Sequence, residues 1–257
     1  MILETIVDRK KEEVAVLRQR GIHLPSEFAQ KDIQPPRGFR QAILEYGGVA
    51  VIAEAKKASP SKGVICADFD IEKIVTHYEK GGAQALSVLT DVDFFQGSLT
   101  YLLQAREKVA LPVLRKDFII DELQIREASV HGADAILLIA AILDESQLND
   151  YFCYAKELQM DVLVEVHDEK ELEKSLRSEC DLIGINNRNL NDFSVDINTT
   201  FRLKKLIPDN IPVVSESGLR GREDMEKLQD HGIAAALIGE TLMRAGTESR
   251  ALSDLRS

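Results

Sequence analysis

Short apolar runs rich in Val, Ile, Leu and Ala recur along most of the chain, separated by longer polar stretches of helical period. They are VAVIAE (49–54), ALSVLT (85–90), PVLRK (112–116), ADAILLI (133–139), VLVEV (162–166), DLIGIN (181–186), IPVVSE (211–216) and AALIG (235–239). Runs that are apolar at nearly every position predict strands buried on both faces, as in a parallel sheet covered by helices. Their spacing leaves room for one strand and one helix per unit. A weak repeat supports the alternation: GGAQALSVL, HGADAILLI and HGIAAALIG each set a glycine where a helix gives way to a strand. Glycine accepts the left-handed conformation that commonly closes a helix.

Eight βα units predict an α/β fold, the closed (β/α)8 barrel. The rival open doubly wound sheet usually carries G-x-G-x-x-G after its first strand, and no such motif is present. Ahead of the barrel, residues 1–20 predict an amphipathic helix, with Ile2, Leu3, Ile6, Val7, Val14 and Leu17 near helical spacing. Gly21–Gly38, with Pro25, Pro35 and Pro36, reads as loop, and Phe39–Tyr46 as a short helix ended by Gly47 and Gly48. The expected organisation is one domain over 1–257, a helical extension over 1–48 and the barrel over 49–257. Asp168, three positions before Glu171, resembles a capping box.

Active sites of such barrels lie at the C-terminal ends of the strands, so inward-facing polar groups there are the candidates. Side chains alternate faces with period two. Glu54 and Lys56 share parity with Ala50 and Ile52, Lys116 with Leu114, and Glu165 with Leu163. Asn186 shares it with Leu182 and Gly184, and Glu216 with Pro212 and Val214. One charged strand end is as often a solvated rim group; five strands aiming such groups at one mouth point to a site. Lys57 and Arg115, of opposite parity, are expected to pair with helix carboxylates. Ser59 and Ser61 are open to a helix-capping reading, Asp117 to a loop-structuring one, and His167 reads as the strand's exit. Ser217-Gly218 and Gly239-Glu240 place small residues after the last two strands, the usual phosphate position in this architecture. Any contact from Glu240 would come from its backbone N–H.

Composition narrows the chemistry. The chain has 257 residues, 44% of them hydrophobic and 29% charged, which suits a globular protein the size of one such barrel. A net charge of -11 disfavours nucleic acid and anionic lipid, so an anionic substrate needs a local basic cluster. Cys66, Cys153 and Cys180 form no CxxC pair, which argues against a disulfide framework or thiolate metal site and for a reducing cytosol. The five histidines form no metal-hydrolase motif. No signal-peptide h-region and no membrane-length apolar run occurs. The expectation is a cytoplasmic enzyme acting on a small phosphorylated anion, with no metal, nucleic-acid or membrane partner.

IAEAKKASPSKG, VLRKDFIID, LVEVHDE, IGINNRNL, VSESGL and ALIGETLM, in this order, resemble the motif series of the indole-3-glycerol-phosphate synthase family. The resemblance covers nearly the whole barrel, and the leading helices resemble that family's extension over the barrel mouth. It implies the stand-alone, monomeric form and a reaction without metal or organic cofactor. That reaction converts 1-(2-carboxyphenylamino)-1-deoxyribulose 5-phosphate to indole-3-glycerol phosphate, carbon dioxide and water, within tryptophan biosynthesis. Carried over by motif, Lys116 resembles the general acid and Glu165 the general base. Lys56 is similar to the lysine that holds the substrate's anionic groups and serves as an alternative acid. Glu54, Asn186 and Glu216 would orient these groups. Arg188, Ser217, Gly218, Gly239 and Glu240 fall where the family holds substrate and phosphate, Phe95 and Phe118 near the anthranilate ring, and Ser59 at its carboxylate. Ala55 departs from a common larger aliphatic, and Glu240 from a small hydroxyl residue. Two other readings stay open on the residues alone: a Schiff-base aldolase using an inward lysine, and a phosphate-binding barrel without catalysis.

Overall fold

In the computed structural model, which describes residues 2–189, 193–247 and 250–255, eight parallel strands close into a barrel. Leu190, the last residue of the motif IGINNRNL, lies outside the described residues. The strands are β1 (Ala50–Ala55), β2 (Ala85–Leu89), β3 (Val113–Lys116), β4 (Ala135–Ile139), β5 (Asp161–Val166), β6 (Ile183–Asn186), β7 (Val213–Glu216) and β8 (Ala235–Ile238). Each pairs in parallel with its sequence neighbours, and β8 closes on β1 through Ala50↔Ala235 and Ile52↔Leu237. All eight predicted runs are strands, their edges shifted by a residue or two. This is a (β/α)8 barrel.

Two helices lead the chain, α1 (Ile2–Arg20) and α2 (Phe39–Leu44). One helix then follows each strand: α3 (Ile71–Lys80), α4 (Leu99–Lys108), α5 (Glu122–Val130), α6 (Glu145–Glu157), α7 (Glu169–Arg177), α8 (Asn198–Lys204), α9 (Arg222–Asp230) and α10 (Glu240–Ala245). A last turn, α11 (Ala251–Asp254), packs beside α10. Among the described residues, no helix is long and apolar enough to cross a membrane. Outward-facing strand residues such as Val51, Leu86, Ile136 and Val164 bury against the helices, while inward ones form a separate central cluster.

The two leading helices part company. α1 lies along the barrel's C-terminal rim, where Ile2, Leu3 and Ile6 line the central cavity. α2, expected over the mouth as well, sits at the opposite end. Its Phe39 and Ile43, one helical turn apart, are buried in the central cluster with Ala50, Ala85, Ala135 and Ala235. Those alanines are the first inward residues of four strands, and their small side chains leave the space that Phe39 fills. Backbone N–H groups of Arg37 and Arg40 donate to Asp134 (2.7 Å) and Asp161 (2.8 Å) at that same end, which fixes the plug in place.

Candidate active site

The odd-numbered strands build the cavity floor. β1, β3, β5 and β7 turn Ile52, Leu114, Leu163 and Val214 inward and, two residues later, Glu54, Lys116, Glu165 and Glu216. Strand periodicity thus stacks an ionic layer on an aliphatic one, with one side chain from each alternate strand. The even strands answer with small residues. A Cβ on Gly184 of β6 would run into Glu216 Oε1, and one on Gly239, just after β8, into Glu54 Oε2. The carboxylates lean into space that only glycine leaves free.

Lys116 is the centre of this layer. Its Nζ donates to Glu165 Oε2 at 2.9 Å and to Glu216 Oε2 at 2.8 Å. Burial opposes its charge, but the attraction of Glu165, Glu216 and Glu54 outweighs burial and holds the pKa above the ordinary lysine value. The two carboxylates diverge. Burial opposes ionisation of Glu165, but Lys116 and His167 overcome it and hold that group below the usual carboxylate range. At Glu216 burial prevails over Lys116, with Glu165 and Glu54 adding repulsion, and the pKa rises to about 7. Among the described residues Glu216 Oε1 has no hydrogen-bond partner. Two carboxyl groups pushed apart in this way can divide proton-accepting and proton-holding roles.

His167, read from sequence as a strand exit, stands behind Glu165. Its Nε2 lies 3.3 Å from Glu165 Oε1, within ion-pair reach but out of line for a hydrogen bond. Its Nδ1 is 3.0 Å from Glu171 Oε2. Burial disfavours the imidazolium, yet Glu165 and Glu171 raise its pKa to about 10. The predicted capping box is only half formed: Asp168 accepts from Glu171 N–H (2.9 Å), while Glu171 reaches back to His167 N–H (2.8 Å) instead of Asp168.

A cavity of about 840 Å³ opens above this layer, and every site residue singled out from the sequence lines it. On one wall Lys56 donates to Glu54 Oε2 at 2.5 Å. Nearby, Asn186 Oδ1 accepts from Arg188 N–H (3.0 Å), and the Arg188 guanidinium donates to Phe193 O (3.4 Å). After β7 the backbone takes two left-handed steps, at Ser217 (φ 67°) and Gly218 (φ 83°). A non-glycine residue in this conformation carries strain that its surroundings must offset. Asn187, of outward parity and not singled out beforehand, supplies that support: its Nδ2 donates to Ser217 O (3.0 Å) and Ser215 Oγ (3.1 Å). The Glu240 carboxylate accepts from Arg244 Nε (2.9 Å), one turn along α10.

Beyond β2 and β3, Phe95 and Phe118 meet with ring centroids 6.0 Å apart. Ser59 sits in a small hairpin, Ala58–Ser59 against Gly63–Val64, tied to the Phe95 loop by Ala58 N–H to Phe95 O (3.2 Å). Neither Ser59 nor Ser61 caps α3; Asp70 does, accepting from Lys73 N–H at 3.1 Å. Arg115 pairs with Glu127 of α5 at 3.2 Å, as its parity predicts. Lys62, Arg220 and Arg244 also line the cavity and add positive charge. Sequence reasoning passed over them because loop and helix positions carry no strand parity.

Comparison with known proteins agrees with this architecture. Two solved structures are similar at the level of fold alone. One is an N-acetylmannosamine-6-phosphate 2-epimerase from Clostridium perfringens, with TM-score 0.61 and 16% identity over 79% of this chain and 91% of that one. The other is described as a native KDPGal structure, with TM-score 0.58 and 17% identity over 80% and 91%. Sequence relatives are nearer. A protein of Desulfotalea psychrophila named indole-3-glycerol phosphate synthase is 66% identical over 254 residues, 99% of this chain and 98% of that one. One of that name from Legionella pneumophila strain Paris is 50% identical over 255 residues, with the same coverage of 99% and 98%. The family model described as indole-3-glycerol phosphate synthase matches residues 3–255, and the chain belongs to that family.

Proposed function

We propose that this chain closes the indole ring of indole-3-glycerol phosphate from 1-(2-carboxyphenylamino)-1-deoxyribulose 5-phosphate, releasing carbon dioxide and water. The observation that carries the reading is Lys116, held between Glu165 and Glu216 on the floor of a cavity with an aromatic wall and a basic rim. Ring closure needs a proton on the ketone oxygen as the aromatic carbon attacks. Dehydration needs a second proton on the departing hydroxyl and a base for the one released. Lys116 delivers the first, and Glu165 accepts the last. Lys56 and Arg188 hold the anionic groups, and Lys56 stands ready as donor in one of the two steps. Glu54, Asn186 and Glu216 orient the lysines. The turns at Ser217-Gly218 and Gly239-Glu240 cradle the phosphate, Phe95 and Phe118 lie near the anthranilate ring, and Ser59 contacts its carboxylate.

The electrostatics disfavour the Schiff-base alternative. That chemistry needs a neutral amine, and three carboxylates hold Lys116 charged. The reading also places the protein in the cytoplasm as a monomer. Its test is indole fluorescence after adding the carboxyphenylamino-deoxyribulose phosphate. The chain has no tryptophan, so a growing indole signal comes from product. A silent wild type would sink the reading, and borohydride trapping of a lysine adduct with a keto phosphate would replace it with the aldolase.

Gly184 provides a check on the ionic layer that alters no reacting group. Gly184→Ala should displace Glu216 and with it Lys116. Misplacement on the ångström scale can cost about 10²-fold in rate. The expected result is a kcat lower by about that factor with the melting transition still cooperative; an unchanged kcat would mean that Glu216's position is immaterial.

A further inference from the structure

We propose that Lys10 of α1 is a positioning residue for the aromatic end of the substrate, because its ammonium holds the two aspartates that grip Phe95 and Phe118. The inference rests on the ring-closure reading for the identity of that aromatic end. Lys10 is 1% exposed, a burial that lysine rarely reaches without partners. Its Nζ lies 2.8 Å from Asp91 Oδ2, 2.9 Å from Asp117 Oδ1 and 2.8 Å from Glu13 Oε2. Asp91 follows β2, and Asp117 follows Lys116 directly, so one side chain of the leading helix ties together two strand ends far off in sequence.

What the aspartates do with their other contacts gives Lys10 its reach. Asp91 Oδ1 accepts from the backbone N–H groups of Phe94 (2.8 Å) and Phe95 (3.1 Å). Asp117 Oδ1 accepts from Phe118 N–H (2.8 Å), and its Oδ2 from Thr90 Oγ1 (2.5 Å) and Arg115 (3.1 Å). Phe95 and Phe118 line the cavity together with Ile6, one turn before Lys10. The aspartates differ in what remains if the ammonium is removed. Asp117 keeps Arg115 as counter-charge. Among the described residues no hydrogen bond reaches Asp91 Oδ2, and Lys10, 2.8 Å from that oxygen, is the ion-pair partner that offsets its buried charge. Without it Asp91 would turn toward water and release the Phe95 loop. A buried ionic cluster is seldom the most stable filling for a helix contact, since apolar side chains of like volume often do as well. Its value here lies in fixing two backbone segments at once.

The alternative is that Lys10 merely docks α1. Val14, buried one turn further along the same helix and away from the cavity, separates the two. Steady-state kinetics on Lys10→Met, with Val14→Ala as a control matched by melting temperature, tests the proposal; Lys10→Gln serves if the methionine variant does not fold. The Lys10 variant should raise KM for the carboxyphenylamino substrate about 3–10-fold, the scale of one aromatic contact. Competitive inhibition by inorganic phosphate, which lacks the ring, should stay unchanged, as should KM in Val14→Ala. Equal KM changes in the Lys10 and Val14 variants, or phosphate inhibition weakened alongside KM, overturns the proposal while the wild type goes on making indole-3-glycerol phosphate. A wild type that makes none overturns the activity reading and this inference with it.

Discussion

Replacing Lys116 by alanine is expected to lower kcat for indole-3-glycerol phosphate formation by about 10²–10⁴-fold, the contribution typical of a positioned acid. The phosphate turns and Arg188 are untouched, so inhibition by inorganic phosphate should survive. Lys116→Arg sharpens the test. Arginine keeps the charge between Glu165 and Glu216, but its guanidinium does not give up a proton in the working range. A near-native fold with kcat still depressed would assign the loss to proton donation; restored activity would reduce Lys116 to a counter-ion. Strong turnover in Lys116→Ala would move the acid to Lys56.

An ammonium stabilised by three carboxylates is a reluctant donor. Glu216, whose pKa burial raises to about 7, relieves it. When Glu216 takes a proton, Lys116 loses one counter-charge, and its own pKa falls toward values useful in catalysis. On the proposed mechanism Glu216 would adjust the acid's strength without touching the reacting atoms.

Much of this arrangement was legible in the sequence, for a physical reason. A strand's period of two is rigid, so once β1, β3, β5 and β7 are recognised, the inward charges at Glu54, Lys116, Glu165 and Glu216 follow by counting. The eight strands were legible because burial on both faces leaves an unbroken apolar run. Lys10 was not. On an amphipathic helix a lysine among apolar positions reads as a solvated edge, and nothing local reveals that Asp91 and Asp117 wait in the fold. α2 carries an apolar pair that any cavity could receive; only the alanines at the strand starts, brought together by barrel closure, send it to the far end. His167 was hidden by its own motif. The Asp168–Glu171 spacing is a valid capping signal, but the Glu171 carboxylate serves the residue before the cap.

That displaced carboxylate leads to the second large effect. Glu165→Gln should lower kcat by about 10²–10⁴-fold, because an amide cannot accept the proton released in dehydration. The pH profile then separates base from scaffold. Glu165 has a depressed pKa, so its carboxylate is present at neutral pH and is lost only as pH falls through that low value. The imidazolium of His167 contributes to the depression. Its raised pKa means that this contribution is complete below the ordinary histidine value and fades only as pH rises through about 10. Across the range where the enzyme would work, His167 is therefore a fixed positive charge behind the base, held there by Glu171. His167→Asn removes the charge, raises the pKa of Glu165, and should carry the acid limb of kcat/KM to higher pH, with the plateau less affected. Glu171→Gln should move the limb the same way by a smaller step, since the imidazolium then loses one of its two carboxylates. If the limb stays where wild type has it in both variants, the titrating base is not Glu165, and the proton of dehydration leaves by another group in the layer.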